Sequence, residues 1–312
     1  MPATTAGGEA NRSLRNVALN ASSEASPVFE IGVARAQRNL RQLPFARWMF
    51  PDGSAWLEFY RCDSGYLLRF PNLADFELTS AGAHVACFPA TDVDDATAEH
   101  LYRNQVLPLA LGRGGNLVFH ASAVETPAGA LAFVAASGLG KSTLAAAFAT
   151  RGFGFLSDDA LRLVRVGEAY HVIPSHPDLR LWDDSRLALL GPDAARSPPL
   201  GFTSKSRFPA GGELAYCNRP VMLKAVYFLA DCGADEIAIA PLNGAEALID
   251  WTRHGFFLDI EDKQAIHAHF EQTVALANHV SCYRLNYPRR YDALPNVIEA
   301  ILAHADCVRS KA

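Results

Sequence analysis

The sequence predicts an α/β fold, a mixed sheet built around a glycine loop and preceded by a small antiparallel β-rich segment. Three observations predict it. Between residues 27 and 92, short aromatic and β-branched runs alternate with turn residues. At 131–163 an apolar run, a glycine loop and a helix-forming run follow one another in that order. Beyond them, apolar strand-like runs alternate with helix-forming stretches.

In the first segment "AWLEFYRC", "GYLLRF", "DFELTS" and "HVACFP" read as strands, punctuated by "DSG", "PN" and "AG". Residues 94–112 read as a helix broken near Pro108, with Asp94 or Asp95 placed to cap it. "NLVFHASAVE" and "ALAFVAA" are apolar runs joined by a turn and should pair as neighbours. The second feeds the glycine loop, and "KSTLAAAFATRG" forms the helix behind it, closed by Gly152. "FGFLS" is the next strand, "ALRLVRVG" and "AYHVIP" a hairpin, "LKAVYFLAD" and "EIAIAPL" later strands. Two helices, "GAEALIDWTRH" and "DKQAIHAHFEQTVALANHV", precede the strand "CYRLNYP" and a closing helix. The expected organisation is a disordered segment at 1–26, a β-rich subdomain at 27–93 and a catalytic domain at 94–312.

Composition narrows the function classes. The 312 residues are 50% hydrophobic and 20% charged, with a net charge of −5, which fits a soluble globular chain. No clustered basic surface suggests nucleic acid as a partner. No apolar run approaches the roughly 18 residues of a membrane span, and residues 1–26 have no signal-peptide core. The six cysteines form no CxxC pair, so they read as free buried thiols in a reducing, cytoplasmic setting.

The loop at 135–142 follows the phosphate-loop template with one substitution. Ala135 stands where the first glycine is expected, while Gly140, Lys141 and Ser142 hold the other positions. Such a loop turns backbone N–H groups toward an anion, with a helix N-terminus behind them. Gly138 and Gly140 supply the unusual backbone angles, and Ala135 is tolerable if it keeps a negative φ. The nucleotide contacts expected are Ala136, Ser137, Gly138, Leu139, Gly140, Lys141, Ser142 and Thr143. Lys141 would reach the β- and γ-phosphates of ATP, and Ser142 would offer its hydroxyl to Mg²⁺. A glycine turn that happens to precede a lysine is the plainer alternative.

Asp158 and Asp159 end the strand after the loop helix. Two carboxylates there allow one to contact metal and the other to accept a hydroxyl proton. By themselves they would also serve to cap a turn. His120, on the strand beside the loop strand, can face the same site, although a lone strand histidine is more often a core residue.

Together "FHASAV", "AASGLGKS" and "LSDD" resemble the catalytic domain of the bacterial HPr kinase/phosphorylase family, over residues 120–166. That family is related in fold to phosphoenolpyruvate carboxykinases and moves phosphate from ATP to a serine of a small carrier protein. Divergent relatives phosphorylate a serine in ribosomally made peptides, including lasso peptides. The resemblance implies Asp158 as base, His120 as its partner, Lys141 and Ser142 as nucleotide and metal contacts, and assembly as a homo-oligomer; the division of labour between the two carboxylates then leaves Asp159 for the metal. Three departures stand out. Ala135-Ala136 replaces Gly-Asp, the family's downstream Glu-x-Arg-Gly has only an echo in "DLRLW" with Arg180 as counterpart, and the first segment does not resemble the family's first domain.

Lys205 and Arg207, in the long loop "SPPLGFTSKSRFPAGGELAYCNRP", are candidates to close over phosphate, and Arg289 and Arg290 to hold phosphate or the acceptor, although each is more often a solvated loop charge. The expected activity is an ATP- and Mg²⁺-dependent kinase acting on a serine of a peptide or small protein. The alternatives are a non-catalytic ATP-binding module and a small-molecule kinase or carboxykinase-like enzyme.

Overall fold

A computed structural model describes residues 26–192, 206–209, 214–230 and 234–308. Most of the expected disordered segment, Lys205 and Cys232 lie outside them, and of Arg207 only the backbone is described. The chain is mixed α/β with mixed sheets.

The first sheet comprises β1 (Val28–Ile31), β2 (Ala46–Met49), β3 (Ala55–Cys62), β4 (Gly65–Phe70), β5 (Ala74–Thr79) and β6 (His84–Pro89), in the order β1-β6-β5-β4-β3-β2. Tight turns make β2 to β6 antiparallel. The segment is not antiparallel throughout, since β1 runs parallel to β6. Only sequence neighbours joined by a short turn must reverse direction, and β1 reaches β6 through a long connection.

Helix α1 (Asp95–Leu101) is capped by Asp94, whose side chain accepts from Thr97 N–H at 2.8 Å. The expected break at Pro108 does not occur. A single π turn over Tyr102–Val106 carries the chain into α2 (Leu107–Arg113), with Pro108 in its first turn. The wider turn relieves the clash a proline ring makes with a preceding carbonyl. Ala98, Leu101, Val106 and Leu109 share one core with Leu57, Phe70 and Phe76 of the sheet. This helical stretch, grouped with the downstream region in the sequence reading, therefore packs on the small sheet.

The larger sheet contains β7 (Leu117–Phe119), β8 (Ala121–Thr126), β9 (Gly129–Val134), β10 (Gly154–Ser157), β11 (Leu161–Val166) and β12 (Ala169–Ile173). After α3 (Lys141–Ala149), which lies between β9 and β10, a small ribbon pairs β13 (Asp178–Leu181) with β14 (Ser206–Pro209), flanking α4 (Asp183–Leu190). Strands β15 (Val221–Leu229), β16 (Ala238–Pro241) and β17 (Cys282–Asn286) complete the large sheet. Strand β15 is parallel to β9 and β17, and the other pairings in that sheet are antiparallel.

Both faces of this sheet are covered. One core joins Phe133 and Tyr227 to Leu144 and Phe148 of α3 and to Val297 and Ile301 of α7 (Leu294–Cys307). The other joins Val134 and Phe228 to Trp251 of α5 (Gly244–Arg253) and Leu276 of α6 (Lys263–His279). Among the described residues no helix is long and apolar enough to cross a membrane. The thiols are not all buried as expected, since Cys62 and Cys307 are exposed.

Candidate functional site

Strand β9 ends at Val134, and the chain turns through residues 135–140 into α3. The left-handed positions in this turn are Gly138 (φ +85°) and Gly140 (φ +88°), while Ala135 keeps a negative φ and is buried in the core below. A side chain at 135 therefore costs the loop no backbone strain. Gly140 caps α3, so the unbonded N–H groups of the first helical turn open directly onto the loop.

Lys141 is 3% exposed, and its Nζ donates to the carbonyl of Ala136 at 3.1 Å. This bond folds the lysine back along the loop. Arg289 reaches in from beyond β17 and donates to the carbonyls of Leu139 and, at 2.6 Å, Ala230. Its guanidinium also lies over the Tyr287 ring. Arg289 is thus a clasp on the loop from outside.

A cavity of about 250 Å³ opens beside the loop. Gly138 to Thr143, Arg180, Trp182, Tyr287, Arg290 and Tyr291 are among the residues that line it. Both Trp182, 45% exposed, and Tyr291, 38% exposed, line it. A hydroxyl chain stiffens its wall. Thr143 contacts Ser185 at 3.1 Å, Ser185 contacts Tyr291 at 3.1 Å, and Tyr291 donates to Asp184 at 2.8 Å.

The turn after β10 closes through its backbone, with Ala160 N–H donating to the Asp158 carbonyl at 2.9 Å. Both carboxylates are left for other partners. Oδ1 of Asp158 accepts from Ser142 Oγ at 2.7 Å and from Ser122 Oγ at 2.6 Å. Its Oδ2 faces the backbone N–H of Arg180 at 3.2 Å. Asp159 adopts a left-handed conformation, φ +64°, uncommon outside glycine. Its carboxylate is ion-paired to the Arg180 guanidinium, with both side chains nearly buried.

His120 sits where the chain leaves one ladder for another. Residues 117–119 pair with β11, residues 121–126 pair with β9 and β10, and His120 N–H donates to His254 O at 2.7 Å. The single expected strand is therefore two. The ring Nδ1 lies 2.9 Å from the carbonyl of Asp159. A carbonyl only accepts, so Nδ1 carries the proton and Nε2 the lone pair. Burial, and then the nearby Lys141 ammonium, push the His120 pKa far below its usual value, so the ring is neutral. Nε2 lies 3.9 Å from Asp159 Oδ1.

A second cavity, of about 220 Å³, lies on the far side of the aspartates. Asp158 and Asp159 line it together with Ser26, Arg103, Asn104, Arg162, His176 and Asp178. Two contacts link the cavities. Ser142 of the first is bonded to Asp158 of the second, and Arg180 of the first is paired with Asp159 of the second.

The structure thus brings His120, Asp158, Asp159, Arg180, Lys141 and Ser142 into one region. It does not place Asp159, the expected metal contact, on Ser142, whose hydroxyl partner is Asp158. Thr143 turns its hydroxyl to Ser185, which leaves its backbone as its contribution to the loop. Arg207 pairs by backbone with Arg180 across the β13–β14 ribbon. Sequence reasoning missed Ser122, Trp182, Tyr287 and Tyr291. Ser122 had a signal, since it follows His120 by two and strand positions two apart share a face. The aromatic residues had none, being scattered along the chain.

No family model and no curated protein matches the chain. Among solved structures it is similar to the Hpr(Ser) kinase/phosphatase from Coxiella burnetii, at 12% identity over 61% of this chain and 95% of that one, with a TM-score of 0.33. At that score the likeness carries no argument, and any functional reading rests on the chain's own residues.

Proposed function

We propose that the chain is a kinase that moves the terminal phosphoryl group of ATP to a serine hydroxyl of a peptide or small protein. One observation carries this reading: the Asp158 carboxylate stands between a loop-lined cavity and a second cavity, bonded to the loop serine. Binding a nucleotide calls for the first cavity alone. A carboxylate facing a separate space suits an incoming hydroxyl.

In this reading Trp182 and Tyr291 hold the base, and the loop N–H groups, with Lys141, hold the phosphates. Ser142 and Asp158 fit a divalent cation, because a hydroxyl and a carboxylate 2.7 Å apart are the hard oxygen donors that magnesium takes. No group of three or more His, Cys, Asp or Glu among the described residues could hold a metal by itself, and magnesium sites commonly combine one or two carboxylates with substrate phosphates. When bound, the ion neutralises charge on the phosphates. Asp158 also takes the proton of the incoming hydroxyl. Asp159 acts as a positioning residue, clamping Arg180 with its carboxylate and His120 with its carbonyl. Neutral His120, bonded through Nδ1 to the Asp159 carbonyl, is a second positioning residue that holds the turn carrying both aspartates.

The test measures ATP binding and transfer to a panel of serine-containing peptides, with Mg²⁺, for the native chain and Asp158→Asn. Transfer should fall on the order of 10²-fold or more, while nucleotide still binds. Binding without turnover on any acceptor would leave a nucleotide-binding module instead.

A further inference from the structure

The second cavity is bordered by a serine of the chain itself. Ser26 lines it together with Asp158 and Asp159, and its side chain is exposed. The backbone after Ser26 is held at several points. The Pro27 carbonyl lies 3.4 Å from the Tyr102 hydroxyl, which donates to it. Val28 N–H donates to Ala83 O at 3.0 Å, and β1 then pairs with β6 along its length. The Phe29 ring stacks on Tyr102 with centroids 3.7 Å apart and planes 4° from parallel. Tyr102 opens the π turn, whose next residues, Arg103 and Asn104, form part of the cavity wall.

We propose, resting on the kinase reading, that Ser26 is a phosphoacceptor and that the chain phosphorylates it in cis. A serine whose following backbone is fixed, on a cavity that a carboxylate also lines, meets the donor as an intramolecular partner, with less ordering entropy left to lose than a free peptide. In the transfer a bond forms between Ser26 Oγ and the γ-phosphorus of ATP. The bond from that phosphorus to the β,γ-bridging oxygen breaks, and ADP leaves with the oxygen. The Oγ proton passes to the Asp158 carboxylate and then to water.

The surroundings suit the product as well as the reactant. Arg103 and Arg162 stand in the cavity wall, and a phosphoserine gains charge-assisted hydrogen bonds from guanidinium groups. Arg103 is held by Glu99 at 3.0 Å on the exposed side, a surface pair that exchanges partners at little cost.

The experiment incubates the full chain with Mg²⁺ and ATP, maps phosphoserine by mass spectrometry of proteolytic fragments, and repeats the time course across a dilution series. The expected result is one phosphoryl group on Ser26, added with a first-order rate constant that does not change on dilution. Ser26→Thr should accept phosphate, and Ser26→Ala should take none at that position. Transfer to an added serine peptide with Ser26 left bare would overturn the proposal and leave the kinase reading standing. Phosphate on Ser22 or Ser23 with Ser26 bare would overturn it too, and a rate constant that scales with protein concentration would overturn the cis route. If the protein neither binds nor turns over nucleotide, the kinase reading itself fails and the proposal with it.

Discussion

Replacing Arg180 by Gln tests the electrostatic centre of the site without any assumption about substrate. The Arg180 and Asp159 side chains are 12% and 11% exposed, and they form one ion pair. Removing one partner of a buried pair leaves the other charge unpaired, which costs about 3–5 kcal/mol. Asp159 borders a cavity that admits water, so the lower end applies, about 3 kcal/mol. His120, whose Nε2 lies 3.9 Å from the carboxylate, is neutral and does not replace the lost cation. Converting the pair to neutral amides with Asp159→Asn as well should recover about 2 kcal/mol, because no buried charge is left behind. Urea unfolding of the native chain, both single variants and the double variant near neutral pH measures all four corners. An Arg180→Gln chain within about 1 kcal/mol of native, with costs that simply add in the double variant, would refute the argument.

Other outcomes follow from single features. Ala135→Gly should not tighten ATP binding and should cost roughly 1–2 kcal/mol of stability, since Ala135 already has a negative φ, while glycine loosens the unfolded chain and removes a methyl group buried in the core; tighter binding measured by calorimetry would contradict this. Gly138→Ala, at φ +85° with no atom near its added Cβ, should cost roughly 1–2 kcal/mol through backbone strain alone, read from unfolding curves. Trp182→Ala should weaken nucleotide binding by about 0.5–1.5 kcal/mol if the ring stacks on the base, with unchanged affinity placing the base elsewhere. Burial lowers the pKa of His120, His171, His176, His269 and His304, so below about 6.5 the unfolded chain binds protons that the folded chain does not. Stability should therefore fall as pH drops from about 6.5 toward 5, a window above the carboxylate range where Asp259 and Asp262 titrate. Denaturant midpoints that stay level across that window would exclude it.

How far the sequence could be read depends on whether a feature is local. The α/β class with a mixed sheet was legible because strand, loop and helix each have their own period and punctuation, and residues 131–149 show all three in one stretch. The parallel β1 was not, because strand direction against a distant partner is set by the long connection and leaves no mark on "VFEI". The helix through Pro108 failed for a related reason, since a π turn is a register change that composition does not announce. Within the candidate site, adjacency in sequence misled. Asp158 and Asp159 are neighbours, yet the left-handed backbone at Asp159 sends the two carboxylates to different partners, Ser142 for the first and Arg180 for the second. An order of roles along the chain could not be converted into an order in space without that one dihedral angle. The aromatic wall is the opposite case. Trp182, Tyr287 and Tyr291 come from three separate segments that meet only because β13 and the end of β17 flank the same loop, so the cavity exists at the level of topology and nowhere in the local sequence. The glycine loop is legible in one stretch of sequence, whereas the residues that close the cavity beside it come together only in the folded chain.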